Sequence, residues 1–196
     1  MRGTPGSRRN LDAPAARRDA PVRAIFLVGF MGAGKTSVGR ALSRKLGWRF
    51  EDLDDRIQAR EGRTIPEIFQ QSGEAEFRRS ELAALRDLLA DMESGPMVAA
   101  LGGGAFVQEE VASLLEKAGS ATVFLDAPTE ELWRRCAQDV TDRPLRRMEA
   151  EFRQLYEARR PRYLRARVRV DTEGRGIEQI VGAIVSGLEL NSSEEK

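Results

Sequence analysis

GFMGAGKTS, residues 29–37, follows directly on the apolar run AIFLV at 24–28 and is the stretch that decides the fold. A short apolar run that ends in a glycine turn predicts a buried strand, and the pattern of residues 35–47 predicts a helix that ends at Gly47. Glycines in the turn let successive backbone N–H groups converge on phosphate oxygens, and the helix N-terminus adds its positive end. The sequence therefore predicts a phosphate site between a strand and a helix.

The spacing Gly29-x4-Gly34-Lys35-Thr36 is the P-loop pattern of nucleotide-binding proteins. The predicted strand before it and the predicted helix after it supply the context that the motif requires. Lys35 is predicted to reach the β and γ phosphates, and the Thr36 hydroxyl is predicted to ligate Mg²⁺. A glycine-rich turn with a chance lysine is the alternative, and the flanking elements disfavour it.

Other motifs narrow the class of P-loop protein. A GTPase would need an Asn-Lys-x-Asp guanine motif, and the sequence contains none. Motor ATPases add an apolar strand that ends in Asp, and TVFLD at 122–126 resembles one. An aspartate at this place also caps a following helix, and we favour that interpretation of Asp126. A compact kinase that acts on a small molecule remains.

The composition limits the partners and the chemistry. The 196 residues are 41% hydrophobic and 32% charged, as expected for one folded domain. With a net charge of +1, we expect neither a nucleic-acid nor a membrane partner. The chain has no histidine, which excludes an imidazole base. Its one cysteine, Cys136, is interpreted as a half-buried helix residue rather than a catalytic thiol, and a lone cysteine fits a reducing cytoplasm.

Short apolar runs alternate with helical patterns along the chain. The predicted strands are 24–30, 49–54 (running into a helix), 97–104, 121–127 and 168–172, and the predicted helices are 35–47, 65–73, 74–93, 107–119, 128–138, 148–160 and 176–190. This alternation implies an α/β fold of the three-layer P-loop NTPase type, with a five-stranded parallel sheet flanked by helices. We predict one domain over 23–190 with a mobile lid at about 139–150, a disordered tail at 1–22 and a disordered end at 191–196.

Four further features point to a small, anionic, hydroxylated second substrate. DLD at 52–54 follows a predicted strand, where one carboxylate can hold Mg²⁺ through water and the other can orient a hydroxyl and take its proton. Arg78 and Arg159 lie on separate predicted helices and can bind a carboxylate together. LGGGA at 101–105 lets a ligand approach the backbone. Solvated helix-face arginines and a plain tight turn are the alternatives for the last three features.

In combination these motifs resemble a known family. From about Ile25 to Leu188 the chain is similar to the shikimate kinase family in GFMGAGKTSVGRALSRKLG, DLDDRIQAREGRTIPEIFQQSGEAEFRRSE, ALGGGA, DRPL and RRPRY, in that order. The resemblance implies an ATP- and Mg²⁺-dependent enzyme of aromatic amino acid synthesis. Members of this family phosphorylate the 3-hydroxyl of shikimate, a cyclic carboxylic acid. We expect a cytoplasmic monomer with ATP and shikimate as its partners.

The resemblance also assigns roles on the nucleotide side. The residues that it implies for the ATP phosphates are Gly32, Ala33, Gly34, Lys35, Thr36 and Ser37. Thr36 and Asp52 would act on the metal, with Asp52 acting through water. Arg143 in DRPL would be a catalytic lid arginine that closes over the phosphates. Arg135 and Arg175 are candidates for the adenine side.

On the acceptor side, the resemblance makes Asp54 the residue that holds the shikimate hydroxyls and the candidate base. The carboxylate would be gripped by Arg78 and Arg159, with Glu81 orienting these arginines. The residues expected to line the ring are Gly102, Gly103 and Gly104. Together with Lys35 and Arg143, Asp54 completes the predicted catalytic set.

Two alternatives stay open at this point. One is a P-loop kinase for another hydroxy acid, such as gluconate, which would need a different acceptor site. The other is a non-catalytic relative that binds shikimate, but such a protein is expected to have lost some of the predicted catalytic residues. Without histidine or an activated cysteine, we predict direct in-line transfer with no covalent enzyme intermediate.

Overall fold

The computed structural model describes residues 22–137 and 145–190. The strands in this part of the chain are β1 (Ala24–Val28), β2 (Arg49–Asp52), β3 (Met97–Ala100), β4 (Ala121–Asp126) and β5 (Val168–Asp171). The helices are α1 (Lys35–Leu46), α2 (Leu53–Glu61), α3 (Ile65–Ala90), α4 (Glu109–Lys117), α5 (Thr129–Cys136), α6 (Leu145–Tyr163) and α7 (Ile177–Gly187), with a 3₁₀ turn at Asp91–Ser94. Within the described ranges, no helix is both long and apolar enough to cross a bilayer.

The five strands form one parallel sheet in the order β2-β3-β1-β4-β5. Ile25 in β1 is in register with Val98 of β3 on one side and with Ala121 of β4 on the other. After β1 the chain adds β2 and β3 on one side of it and then crosses over to add β4 and β5 on the other side. The carboxyl end of β1 therefore lies at the topological switch point, where the direction of the strand connections reverses. Ligands bind at such points in open α/β sheets. The predicted fold class is confirmed.

The core is centred on β1, whose five residues are all at most 1% exposed. Strands of a parallel sheet are covered by helices on both faces, and this is why AIFLV reads as a continuous apolar run. Helix α1 packs against β3 and against α7, and its residue Leu42 is fully buried. Gly47 adopts a left-handed conformation and ends α1, as predicted.

Helix α3 confirms the predicted break at Gly73 but not the predicted end of its second half. Gly73 has φ 77° and ψ 174°, which separates two helical stretches within Ile65–Ala90. The first stretch begins with a capping box, in which the Thr64 hydroxyl accepts from the Glu67 backbone N–H and the Glu67 carboxylate accepts from the Thr64 backbone N–H. After Ala90 the chain tightens into the 3₁₀ turn, so the prediction of an α-helix to residue 93 is wrong.

Helix α6 is longer at both ends than predicted. The predicted lid at about 139–150 overlaps this helix, since α6 begins at Leu145, and its mobility stays a prediction. The residues LRRMEA are good helix formers, so the helix starts directly after Pro144 in the sequence. At the other end, α6 continues through Pro161 to Tyr163. The remainder of the predicted lid, 139–144, lies outside the described residues, as do nearly all of the predicted N-terminal tail and all of the predicted C-terminal end.

The break in α3 generates a stability prediction. Replacing Gly73 by Ala should lower the free energy of unfolding by about 1–3 kcal/mol, because its backbone conformation is essentially restricted to glycine. Gly182 is the matched control. It lies in α7 with open space where a Cβ would point, so Gly182→Ala should stabilise by about 0.5–1 kcal/mol. Urea unfolding measures both, and an unchanged midpoint for Gly73→Ala would show that the break is not required.

Candidate active site

The P-loop lies between β1 and α1, with Gly34 in a left-handed conformation as the N-cap of the helix. Lys35 is the first residue of α1, and its Nζ donates to the carbonyl oxygens of Gly29 and Phe30, each at 3.0 Å. The ammonium therefore lies across the loop. Burial lowers the pKa of Lys35 to about 8, and the negative charges of Asp54 and Asp52 oppose that shift.

Thr36 and Asp52 form the second polar pair of the site. The Thr36 hydroxyl donates to Asp52 Oδ2 at 2.9 Å, and Asp52 Oδ1 accepts from the backbone N–H of Asp54 at 3.1 Å as the N-cap of α2. A hydroxyl from α1 and a carboxylate from the end of β2 thus meet at one point. Mg²⁺ is held in proteins by one or two such oxygen ligands and completes its shell with phosphate and water. The pair fits this ion.

Asp54 lies in the first turn of α2 and faces the glycine turn after β3. A Cβ placed on Gly102 would lie 2.8 Å from Asp54 Oδ1 and 3.4 Å from Glu81 Oε1, so the two carboxylates meet at this glycine. Burial raises the pKa of Asp54 to about 6, reinforced by the negative charges of Asp52 and Glu81 and opposed by Lys35. A carboxylate with a raised pKa is suited to accept a proton near neutral pH.

Arg78 and Glu81 lie one turn apart in the second half of α3. Arg78 Nη1 donates to Glu81 Oε2 at 2.8 Å, and its guanidinium lies 5.1 Å from the centre of the Phe77 ring. A Cβ on Gly104 would lie 2.7 Å from Arg78 Nη2, so this glycine leaves the space that the guanidinium occupies. Glu81 is buried and also accepts from Gln108 Nε2 at 2.6 Å. Glu81 therefore orients Arg78, and its expected role toward Arg159 stays a prediction.

Arg159 approaches the same glycine turn from α6. Its guanidinium carbon lies 5.8 Å from the centre of the ring of Phe30, which is two residues after the end of β1. Tyr163, one helical turn later, donates its hydroxyl to the carbonyl of Gly103. Burial raises the pKa of Tyr163 to about 12, while the neighbouring charge of Arg159 opposes the shift. The structure thus places the two predicted carboxylate-binding arginines on helices that flank one turn.

A cavity of about 390 Å³ lies between these elements. It opens over the P-loop, the DLD segment and the turn after β3. Its lining residues are Met31, Gly32, Gly34, Lys35, Thr36, Ser37, Asp52, Asp54, Ala100, Leu101, Gly102 and Gly103. The cavity therefore joins the predicted phosphate site to the predicted base. Arg78 adjoins the same glycine turn at Gly104, outside this lining.

The predicted adenine-side arginines converge on the turn after β5. Arg135 Nη1 donates to the carbonyl of Gly32 at 3.3 Å, and its Nη2 donates to that of Thr172 at 3.4 Å. The backbone N–H of Arg175 donates to the same Thr172 carbonyl at 3.4 Å. Arg135 therefore bridges the P-loop and this turn. The remaining predicted residue, Arg143, lies outside the described residues.

The favoured interpretation of Asp126 as a helix cap is wrong. Helix α5 follows Pro128 and has no side-chain cap, whereas the Asp126 carboxylate is buried and accepts from Tyr156, Arg160 and Arg169. The sequence motifs did not indicate Gln108 or Tyr156, and they contained Tyr163 only as the last residue of RRPRY, without a role. The tyrosines occupy α6 at i−3 and i+4 from Arg159, and that spacing was the available signal. Cys136 is half-buried at the end of α5, as predicted.

A P-loop at the centre of a five-stranded parallel sheet, with an acidic pair and an arginine-flanked glycine turn beside it, defines a P-loop phosphotransferase. The protein-family model described as shikimate kinase matches residues 31–189. A shikimate kinase from Aquifex aeolicus (strain VF5) is 41% identical over 169 residues, which cover 86% of this chain and 97% of the relative. The chain belongs to the shikimate kinase family, and it is a kinase.

Solved structures agree with this membership. The shikimate kinase from Acinetobacter baumannii, in complex with shikimate, is 32% identical with a TM-score of 0.77, over 88% of this chain and 96% of that one. A gluconokinase from Sinorhizobium meliloti 1021 is 22% identical with a TM-score of 0.58, over 85% and 91% of the two chains. The second likeness is one of fold alone.

The close approach at Gly102 generates a prediction about activity. A methyl group there would displace the Asp54 carboxylate, so Gly102→Ala should lower kinase turnover by about 10–100-fold, as small misplacements of a reacting group do. At Gly182, in α7 and outside the cavity lining, a Cβ would meet nothing within 4 Å. Turnover of Gly182→Ala is the comparison, and melting temperatures check the folding of both. Equal losses in the two variants would contradict the proposed clash.

Proposed function

We propose that the protein transfers the γ-phosphoryl group of ATP to the 3-hydroxyl of shikimate, giving shikimate 3-phosphate and ADP. The observation that carries the proposal is the position of Asp54. Its carboxylate lies in the cavity with the P-loop Lys35 and contacts the same glycine turn that Arg78 adjoins. We further propose a cytoplasmic monomer, acting in aromatic amino acid synthesis, with one catalytic domain at 23–190.

The acceptor side suits a hydroxylated ring with a carboxylate. Arg78 and Arg159 would bind the carboxylate, since guanidinium groups match its planar geometry. Gly102, Gly103 and Gly104 would lie against the ring, where the lack of side chains leaves room. Glu81 already holds Arg78 at 2.8 Å, so the guanidinium is oriented before the ligand arrives.

Asp54 would hold the acceptor hydroxyl and take its proton. The hydroxyl oxygen then forms a bond to the γ-phosphorus while the bond from that phosphorus to the bridging oxygen of ADP breaks. Lys35 would neutralise charge on the transferred group. The raised pKa of Asp54 suits this proton uptake, and Lys35 lies near enough to interact with it electrostatically.

The nucleotide would lie along the P-loop. Backbone N–H groups of the loop and the start of α1 would hold its phosphates, at the residues Gly32, Ala33, Gly34, Lys35, Thr36 and Ser37. Thr36 would hold Mg²⁺ directly and Asp52 would hold it through water, and the bound ion would neutralise phosphate charge. Arg135 and Arg175 would contact the adenine side, and Arg143 would close over the phosphates.

ADP release by the purified protein with Mg-ATP tests the proposed function. Shikimate should stimulate the release, and gluconate should not. Stimulation by gluconate alone would show that the phosphoryl acceptor is another hydroxy acid and not shikimate. If neither acid stimulated the release while ATP still bound, the chain would be a non-catalytic binder.

Two substitutions test the catalytic roles. Lys35→Ala or Asp54→Asn should cost about 3 kcal/mol or more in transition-state stabilisation, since each removes one preorganised electrostatic group. Steady-state ADP release at saturating ATP and shikimate measures this loss. Turnover near that of the unsubstituted protein in either variant would reject the role of that residue.

Arg78→Ala tests the acceptor site. It should raise the KM for shikimate at least tenfold while leaving the KM for ATP within about twofold, because a bidentate, charge-assisted contact is lost. Its neighbour Arg79 is the matched control, since its side chain is 70% exposed and pairs with Glu76 on the same helix. Arg79→Ala should leave both constants unchanged. An equal rise of both constants in Arg78→Ala would mean that Arg78 is structural.

A further inference from the structure

Asp126 joins three elements through one buried carboxylate at the carboxyl end of β4. Its Oδ1 accepts from the Tyr156 hydroxyl at 2.5 Å, and its Oδ2 accepts from Arg160 Nη2 and Arg169 Nε, each at 2.8 Å. Its side chain is only 4% exposed. Both oxygens are therefore satisfied by donors from α6 and β5, as a buried carboxylate requires.

The last turn of α6 depends on side-chain attachments to the sheet because its backbone hydrogen bonding is incomplete. Pro161 lies within the helix and has no N–H to donate to the carbonyl of Glu157, four residues earlier. Arg159 lies between these two residues. Its contact with the Phe30 ring, at 5.8 Å, contributes only about 0.5–1 kcal/mol at a partly exposed site. Arg159 also interacts with Tyr163, but that residue lies on the same helix, so the position of the guanidinium depends on how α6 is held.

The residues that contact Asp126 flank Arg159 on both sides. Tyr156 lies at i−3 and Arg160 at i+1. The Tyr156 ring also lies 5.4 Å from the Phe30 ring, the same ring that Arg159 faces. Asp126 thus attaches α6 to the sheet through Tyr156 and Arg160, while Tyr163 attaches the end of the helix to the glycine turn.

We propose that Asp126 is a positioning residue for Arg159, which fixes α6 through Tyr156 and Arg160 so that the arginine meets the acceptor carboxylate. The inference rests on the proposed function, which gives Arg159 that ligand. Asp126 is not among the residues that line the cavity, so we expect it to affect the reaction through α6 rather than by direct contact.

Kinetic constants of three variants test the proposal. Asp126→Asn keeps the shape but removes the counter-charge that Arg160 and Arg169 share, and it should raise the KM for shikimate about tenfold. Tyr156→Phe removes one hydroxyl and keeps the ring, and it should raise that constant about threefold. The KM for ATP and kcat should stay within about twofold of the unsubstituted protein, a split that general destabilisation would not produce. Arg162→Gln is the matched control, because Arg162 lies on α6 but pairs with Glu109, and it should change neither constant.

Hydrogen exchange of the ligand-free protein separates this inference from the proposed function. Amides of 156–163 should exchange about tenfold faster in Asp126→Asn, while those of α1 should be unchanged. A KM for shikimate within twofold in both Asp126→Asn and Tyr156→Phe, or an equal rise for ATP, would overturn the inference. If the unsubstituted protein did not use shikimate, the proposed function would fail. The exchange rates would then decide whether Asp126 holds α6, and unchanged rates would reject it.

Discussion

The enclosure of β1 is the constraint on which the rest of the structure depends. This strand is hydrogen-bonded to β3 and β4 along its two edges, and all of its side chains are buried. Because it cannot shift without breaking both pairings, the chain leaves its carboxyl end at one fixed point. Lys35 therefore starts α1 at the centre of the sheet edge. The turn after β3 lies on one side of that point and Asp126 on the other.

Burial and opposite charges together determine the electrostatics of the site at the carboxyl end of β1. Burial disfavours the charged forms of both Lys35 and Asp54, lowering the pKa of one and raising that of the other. Asp52 and Glu81 add negative charge near Asp54, while Arg78 pairs with Glu81. This arrangement favours a proton acceptor beside cationic groups that can meet an anion. Glu81 is buried on α3, where Arg78 and Gln108 donate to its carboxylate.

Much of the fold and of the candidate site followed from the sequence, and the exceptions have two causes. The strand runs, the break at Gly73 and the end of α1 at Gly47 depend on local backbone preferences, so they could be predicted. Asp126 was interpreted as a cap because local sequence gives a strand-end aspartate only local partners. Its actual partners lie 30 or more residues away, on α6 and β5. The start of α6 was predicted at residue 148, three residues later than the observed start at Leu145. The basic segment with Pro144 was interpreted as a loop, although the residues after the proline are good helix formers.

The sequence by itself determined the parallel α/β fold and the phosphate loop, because hydrophobic periodicity and short motifs act over a few residues, and it supplied the candidate site residues. Only the tertiary structure decided which of these residues meet. Asp54 reaches Gly102, Arg78 reaches Gly104, and Arg135 bridges the P-loop and the turn after β5 because sheet order and helix packing bring distant segments together. The pKa shifts belong to the same level, since burial and neighbouring charge exist only once the chain has folded.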